Sequence, residues 1–176
     1  MAEGEAKAIE ILGGRALLRG RAPTARKAGA ARSTAPAKGS RPAAKGAAKA
    51  RLAPGDLRWT GLIRAGLPAR STQTLASSLD MSVKDLAVSL RLPVRTVHRR
   101  LEKGEPLTPE ESERAVRAAR VLAKAEDLLG EVHGRGWVRA PCRALGGEIP
   151  ITLLDTADGF TAVMDELGRL EHGVLS

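Results

Sequence analysis

From Asp56 onward the large apolar residues recur every three or four positions, which is the spacing of helices that bury one face. A first helix is predicted from Leu57 to Arg64, ending near Gly66 and Pro68. A second starts at Ser71 or Thr72 and carries Leu75 and Leu79. A third follows Ser82, an N-cap type, with Val83, Leu86, Ala87 and Leu90 on one side. A fourth opens at Pro93 and closes near Gly104. Thr108-Pro109-Glu110-Glu111 reads as a capping box, in which a Thr cap and a Glu three residues on satisfy each other's backbone N–H groups. The helix it starts is long, with Val116, Ala119, Leu122, Ala123, Leu128 and Leu129 as its apolar stripe before Gly130. From Trp137 the pattern breaks into short helices at Gly146-Gly147 and at Thr156 to Gly159. A last helix gathers Phe160, Val163, Met164, Leu167 and Leu170 on one side and sets Asp165 and Arg169 on the other. The fold class expected is all-α.

The first third of the chain reads differently. Ile9, Ile11, Leu12, Leu17 and Leu18 suggest a brief helix, interrupted by Gly13 and Gly14. Residues 23–54 are almost entirely Ala, Gly, Pro, Ser, Thr, Lys and Arg, with Leu52 the one large apolar residue. Such a segment buries too little surface to offset its conformational entropy. The division expected is therefore a disordered basic arm over 1–54, a helical domain over 55–130 and a smaller helical domain over 131–176.

Charge sharpens this division. The net charge is +9, and residues 1–51 carry all of the excess: 12 Lys/Arg against 3 Asp/Glu, with 17 of each in the remainder. Two readings of the arm stay open. It adds sequence-independent affinity for nucleic acid by counterion release, or it is a solubilising linker that touches nothing. The only aromatics are Trp59, Trp137 and Phe160, which fits a helical core better than a sheet. Cys142 is the single cysteine, so no intramolecular disulfide can form, and it reads as a reduced thiol. With His98, His133 and His172 far apart, no metal or cofactor is expected. No span of apolar residues is long enough for a membrane and no signal peptide is evident, so a cytoplasmic, DNA-associated protein is expected.

Residues 86–97, Leu-Ala-Val-Ser-Leu-Arg-Leu-Pro-Val-Arg-Thr-Val, resemble the helix-turn-helix of Xre-type repressors. Small Ala87 lets two helices cross, and Leu86, Leu90, Leu92 and Val97 fill the wedge between them. One position departs from that pattern: the turn residue, usually glycine, is Arg91. On the second helix Val94, Val97 and Leu101 point inward, and a step of about 100° per residue puts Arg95, Thr96, Arg99 and Lys103 on the opposite face. Arg100 falls on the flank and His98 at the edge of the buried face. Arg95 and Arg99 are the candidates for bidentate contacts to guanine, and Thr96 and Arg100 for contacts to phosphate. The bland alternative is a solvated basic face in an ordinary bundle.

The C-terminal third is distinctive. It holds Trp137, Pro141, Leu145-Gly146-Gly147, Pro150, Leu153-Leu154-Asp155-Thr156, Gly159, Val163, Leu167-Gly168 and Gly173. This is similar to the toxin-binding domain of the Xre/MbcA/ParS-like antitoxins, partners of RES-domain toxins, and with the helix-turn-helix the resemblance covers residues 56–176. It implies an antitoxin that blocks the active site of an NAD-degrading toxin with its C-terminal residues and represses its own promoter. The toxin-binding candidates are Arg169, Leu170, Glu171, His172, Gly173, Val174, Leu175 and Ser176. In this reading the acidic groups of the tail or its terminal carboxylate meet cations of the toxin, Val174 and Leu175 dock on apolar surface, and Arg169 pairs with an acid. The partners implied are a RES toxin, operator DNA and a second copy of the chain, since operator reading by this fold usually uses a two-fold dimer. The long helix is a candidate for that self-association, although its stripe could equally pack within one chain. The competing functions are a free-standing regulator with a C-terminal oligomerisation or ligand module, and a DNA-coating protein. An enzyme is not expected: no nucleophile–base pair, metal cluster or phosphate-cradling loop is visible.

Overall fold

The computed structural model describes residues 2–14 and 54–173. Its helices are α1 (Ala2–Ile11), α2 (Pro54–Ala65), α3 (Arg70–Ser78), α4 (Val83–Ser89), α5 (Val94–Lys103), α6 (Pro109–Leu129), α7 (Glu131–Arg139) and α8 (Ala157–Glu171). Two 3-10 helices, Arg143–Leu145 and Pro150–Asp155, lie between α7 and α8. The fold is all-α. Among the described residues the only extended pairing is an isolated bridge between Pro68 and Pro106. No helix among them is long and apolar enough to cross a membrane.

Helix α6 is the axis of the molecule. Its start is fixed by the capping box: the Glu111 N–H donates to Thr108 Oγ1 (3.2 Å) and the Thr108 N–H donates to the Glu111 carboxylate (2.8 Å). Ala115, Ala118, Ala119, Ala123 and Ala125 are buried alongside Val116, Val121 and Leu122. So many small side chains let neighbours approach from several directions, and α1, α2, α7 and α8 all pack on this helix. Its apolar surface, a candidate for self-association on sequence grounds, is thus largely covered within the chain. One continuous core runs from Ala8 of α1 to Leu167 of α8.

The expectation of a disordered arm is corrected at its beginning. Residues 2–11 form α1, and Ala8, Ile9, Ile11 and Leu12 are buried against the body of the protein. Lys7 adds ion pairs with Glu126 (3.3 Å) and Asp127 (3.1 Å) of α6. Partial burial opposes the charge on Lys7, but the hydrogen bonds and fields of Asp127 and Glu126 outweigh it and hold the ammonium above its ordinary pKa. Glycines 13 and 14 then end the helix with left-handed backbone, and the Gly14 N–H donates to the Ile9 carbonyl (2.8 Å). The remainder of the arm, residues 15–53, lies outside the described residues.

Helix α7 also differs from the expectation of structure resuming only at Trp137. Its sequence, EVHGRGWVR, has two glycines and little intrinsic helix preference. Tertiary packing decides: α7 folds back on α6 as a tight hairpin, and Gly134 sits where a Cβ would fall 2.6 Å from the Glu126 backbone nitrogen. Arg135 reaches from α7 to the buried Glu126 carboxylate (3.2 Å), which Lys7 approaches from α1.

Candidate functional site

The first candidate surface is the α4–turn–α5 unit. Ser82 caps α4, accepting from the Asp85 N–H (3.0 Å), and Leu86, Ala87, Leu90, Leu92 and Val97 are buried in the wedge. Arg91 occupies the turn with φ +51°, the left-handed conformation for which glycine is the usual residue. For a residue with a Cβ that costs roughly 1–2 kcal/mol. Contacts from elsewhere hold the turn closed. Arg114 of α6 donates from Nη1 to the carbonyls of Leu90 (3.3 Å) and Arg91 (2.8 Å), and the Leu92 N–H donates to the Ala87 carbonyl (2.7 Å). Arg91 itself extends across the molecule to Asp155 (2.9 Å), on the second 3-10 helix. Arg117 of α6 meets that same element, donating to the Asp155 carbonyl (3.2 Å). The helix-turn-helix and the C-terminal elements are therefore joined at the turn itself.

On α5, Val97 is buried and Val94 and Leu101 are partly buried, so one flank faces the body and the other faces out. Arg95, Arg99 and Lys103 stand exposed and Thr96 is half-buried beside them. Arg99 makes an exposed ion pair with Glu105 (3.3 Å), whereas Arg95 and Lys103 have no acidic partner among the described residues. Two expectations are corrected. Arg100 is only 15% exposed; its guanidinium pairs with Glu111 (3.0 Å) and donates to the Pro106 carbonyl (2.7 Å). It is tied into the α6 capping box and is a scaffold group, not one poised for phosphate. His98 is exposed, because the α5 contact is narrow and stops short of its edge.

The second candidate surface is C-terminal. The loop from Cys142 to Glu148 closes on itself: the Gly147 N–H donates to the Cys142 carbonyl and the Cys142 N–H to the Glu148 carbonyl, both at 2.9 Å. Gly146 and Gly147 both have positive φ (71° and 85°), which this closure requires. Helix α8 starts at Thr156, whose Oγ1 accepts from the Gly159 N–H (3.0 Å). Gly159 is a steric necessity, since a Cβ there would stand 2.0 Å from the Leu153 carbonyl oxygen. Val163 and Leu167 enter the core, and Arg120 of α6 lies over the Phe160 ring, 5.2 Å from its centroid.

The outer face of α8 keeps its charges largely within the chain. Arg169 lies 2.5 Å from the buried carboxylate of Glu166, and Glu171 makes a close ion pair with Lys124 of α6. The hydrogen bond from Lys124 holds the Glu171 carboxyl below its ordinary pKa. Leu170 packs partly against the core; His172 and Gly173 follow the helix end and are exposed. Val174, Leu175 and Ser176 lie outside the described residues. Between the glycine loop and α8 runs an open groove of about 550 Å³, lined by Ala144, Leu145, Leu153, Ala162, Asp165 and Arg169. No group of three or more His, Cys, Asp or Glu side chains among the described residues is arranged to hold a metal ion.

Comparison with known proteins matches two successive parts of the chain to two families. Residues 58–120 match the family described as the antitoxin Xre-like helix-turn-helix domain. Residues 124–173 match the antitoxin Xre/MbcA/ParS C-terminal toxin-binding domain. Antitoxin Xre of Yersinia enterocolitica is 37% identical over 129 residues, covering 63% of this chain and 87% of the relative. The Prs ADP-ribosylating antitoxin of a Sphingobium species is 32% identical over 126 residues, covering 66% and 79%. Antitoxin Xre of Photorhabdus laumondii is 30% identical over 117 residues, covering 65% and 79%.

Proposed function

The chain belongs to the Xre/MbcA/ParS-like antitoxin family, and we propose that it neutralises a RES-type, NAD-degrading toxin while repressing its own operon as a homodimer. The family assignment supplies the coarse statement: a helix-turn-helix for DNA and a C-terminal module for a toxin. The observation that supports joining the two roles in one protein is that the two modules are built as one body, while the RES-type toxin and the homodimer rest on the family resemblance. They share α6 and one core, and they meet at Arg91 and Asp155. A protein made this way presents an operator-reading face and a partner-binding face together.

In this proposal Arg95 and Arg99 read bases, Thr96 and Lys103 contact the backbone, and Arg100 holds the reading helix in place through Glu111. The acting domains are residues 55–130 and 131–176, and the protein does no chemistry of its own. At the other end, Arg169 to Ser176 approach the toxin's active site. Glu171 acts first as an anchor through Lys124, so that residues beyond it leave α8 from a fixed point. Their entry into the toxin site, in place of the phosphates of NAD, is the inhibitory step.

The name of the Sphingobium relative favours a second reading of the toxin's chemistry: transfer of ADP-ribose from NAD to a protein, where the first reading has simple NAD loss. Cells expressing the toxin decide between them. Loss of NAD with no labelled protein supports the first, and ADP-ribose on a defined protein supports the second. Removal of residues 171–176 tests the inhibitory step in either case. The shortened protein should still bind the toxin and fail to protect cells; full protection would show that the tail does not act at the active site.

A further inference from the structure

We propose that the groove between the glycine loop and α8 is a docking pocket for the toxin, taking an apolar side chain with a cationic group beside it. This rests on the reading that the C-terminal module binds a toxin, and it assigns to that module a second contact, which adjoins the one proposed for residues 169–176.

The geometry begins with the register of α8. Ala162, Asp165 and Arg169 are three and seven residues apart and so share one face of the helix, turned away from Val163 and Leu167 in the core. Ala144 and Leu145 form the facing wall, and Leu153 of the second 3-10 helix completes the lining. Both alanines are exposed while Leu145 and Leu153 are half-buried. Small residues at the mouth and larger apolar ones further in leave room for an entering side chain of leucine or phenylalanine size.

The facing wall is held before any partner arrives. Hydrogen bonds across the loop from Cys142 to Glu148, and the left-handed backbone at Gly146 and Gly147, fix the loop that carries Leu145, which packs partly against the core. A preformed apolar cleft loses little conformational freedom on binding, which is the usual property of a site that anchors a partner.

Charge selects the occupant. Arg169 is engaged by Glu166, and Glu171 by Lys124. Asp165 has no ion-pair partner among the described residues, so the rim offers one uncommitted negative charge beside apolar walls. The complementary surface is an aliphatic or aromatic anchor flanked by arginine or lysine, the residue types that concentrate binding energy at protein interfaces. The whole lining falls within residues 124–173, which match the toxin-binding family. Arg169 is both the rim of the groove and the start of the proposed tail contact, so the two surfaces are continuous. The groove would hold the toxin and the tail would inhibit it.

The test uses the full chain and a catalytically inactivated form of the toxin encoded beside it, with affinity measured by calorimetry. Ala162→Trp fills the groove and Asp165→Arg reverses the rim charge; Ala162→Ser leaves the groove open. Each of the first two is expected to weaken binding by about tenfold or more, the scale of a lost interface anchor. Ala162→Ser should bind like the unaltered protein, and all three should keep its melting temperature and operator binding. If the unaltered protein binds and the filled and charge-reversed variants bind equally well while folded, the groove is not the docking site. If the unaltered protein itself does not bind the neighbouring product, the toxin reading fails, and the groove proposal fails with it.

Discussion

On α5, Arg95 and Lys103 project into solvent with no acidic partner among the described residues, and Arg99 is held only by an exposed pair with Glu105. On α8 the arrangement is reversed: Arg169 and Glu171 are each engaged within the chain, and an apolar groove lies beside them. An exposed ion pair such as Arg99–Glu105 is worth about 0–1 kcal/mol, so it is readily exchanged for a phosphate. Cations left free suit a polyanion, which rewards each one with released counterions. One acid unpaired among the described residues, Asp165, beside apolar walls, suits a protein partner that brings its own apolar anchor and a cation. The same helical chemistry thus yields two candidate recognition surfaces by what each leaves unpaired.

The largest effect expected is from Gly159→Ala. Its methyl group would be forced to within 2.0 Å of the Leu153 carbonyl oxygen, a backbone atom that cannot swing aside as a side chain would. A loss on the order of 3 kcal/mol is expected in urea unfolding, in the range of severe core substitutions. Toxin binding should fall more than operator binding, because α8 is displaced while α4 and α5 are not.

Next is Arg95→Ala, which addresses the other face. Operator binding should weaken by about 1–3 kcal/mol, with relaxed discrimination at one base pair and unchanged toxin affinity. Raising salt should sharpen the contrast. Operator affinity is expected to fall by about 0.9 log unit per log unit of salt for each phosphate contacted, and toxin affinity much less. Fluorescence anisotropy with each partner measures both. Equal salt dependence for the two partners would remove the distinction between the faces.

Arg91→Gly probes the point where the faces meet. Arg91 is 75% exposed, so its bond to Asp155 is screened. The substitution removes that pair, worth about 0–1 kcal/mol, and a left-handed strain of roughly 1–2 kcal/mol, and it adds about 0.4–1 kcal/mol of unfolded-chain freedom, so thermal unfolding should show a net change within about 1 kcal/mol. A large destabilisation would show that the pair, and not Arg114, holds the turn.

The smallest effect concerns Glu171. Lys124 lowers its pKa from the ordinary 4.5, so the stabilising contribution is complete above about that value and is lost as pH falls through the lower, folded pKa. Carboxyl NMR should show Glu171 titrating below the ordinary glutamate value. Lys124→Ala should raise it toward the ordinary value.

What the sequence disclosed was mainly local. Thr108 with Glu111, Ser82 with Asp85, and Gly104 at the end of α5 each act within a few residues, so the helix ends were legible. The outward face of α5 followed from periodicity alone. The Glu166–Arg169 pair, three residues apart on one helix, could have been found in the same way. Partners distant along the chain left no such trace. Lys7 meets Asp127 across 120 positions, and nothing near Lys7 announces that α1 docks. Arg91 with Asp155, Arg100 with Glu111, and Lys124 with Glu171 are pairings of the same kind, visible only once the helices are packed. The groove belongs there too, since its walls come from three separate elements.

The most direct test of the antitoxin assignment for this chain is co-expression with the product of the adjacent gene, following growth, intracellular NAD and co-purification. The account predicts that the neighbour alone arrests growth and depletes NAD, and that this protein co-purifies with it and restores both. A harmless neighbour that does not bind would contradict it, leaving a DNA-binding protein whose C-terminal module serves some other partner.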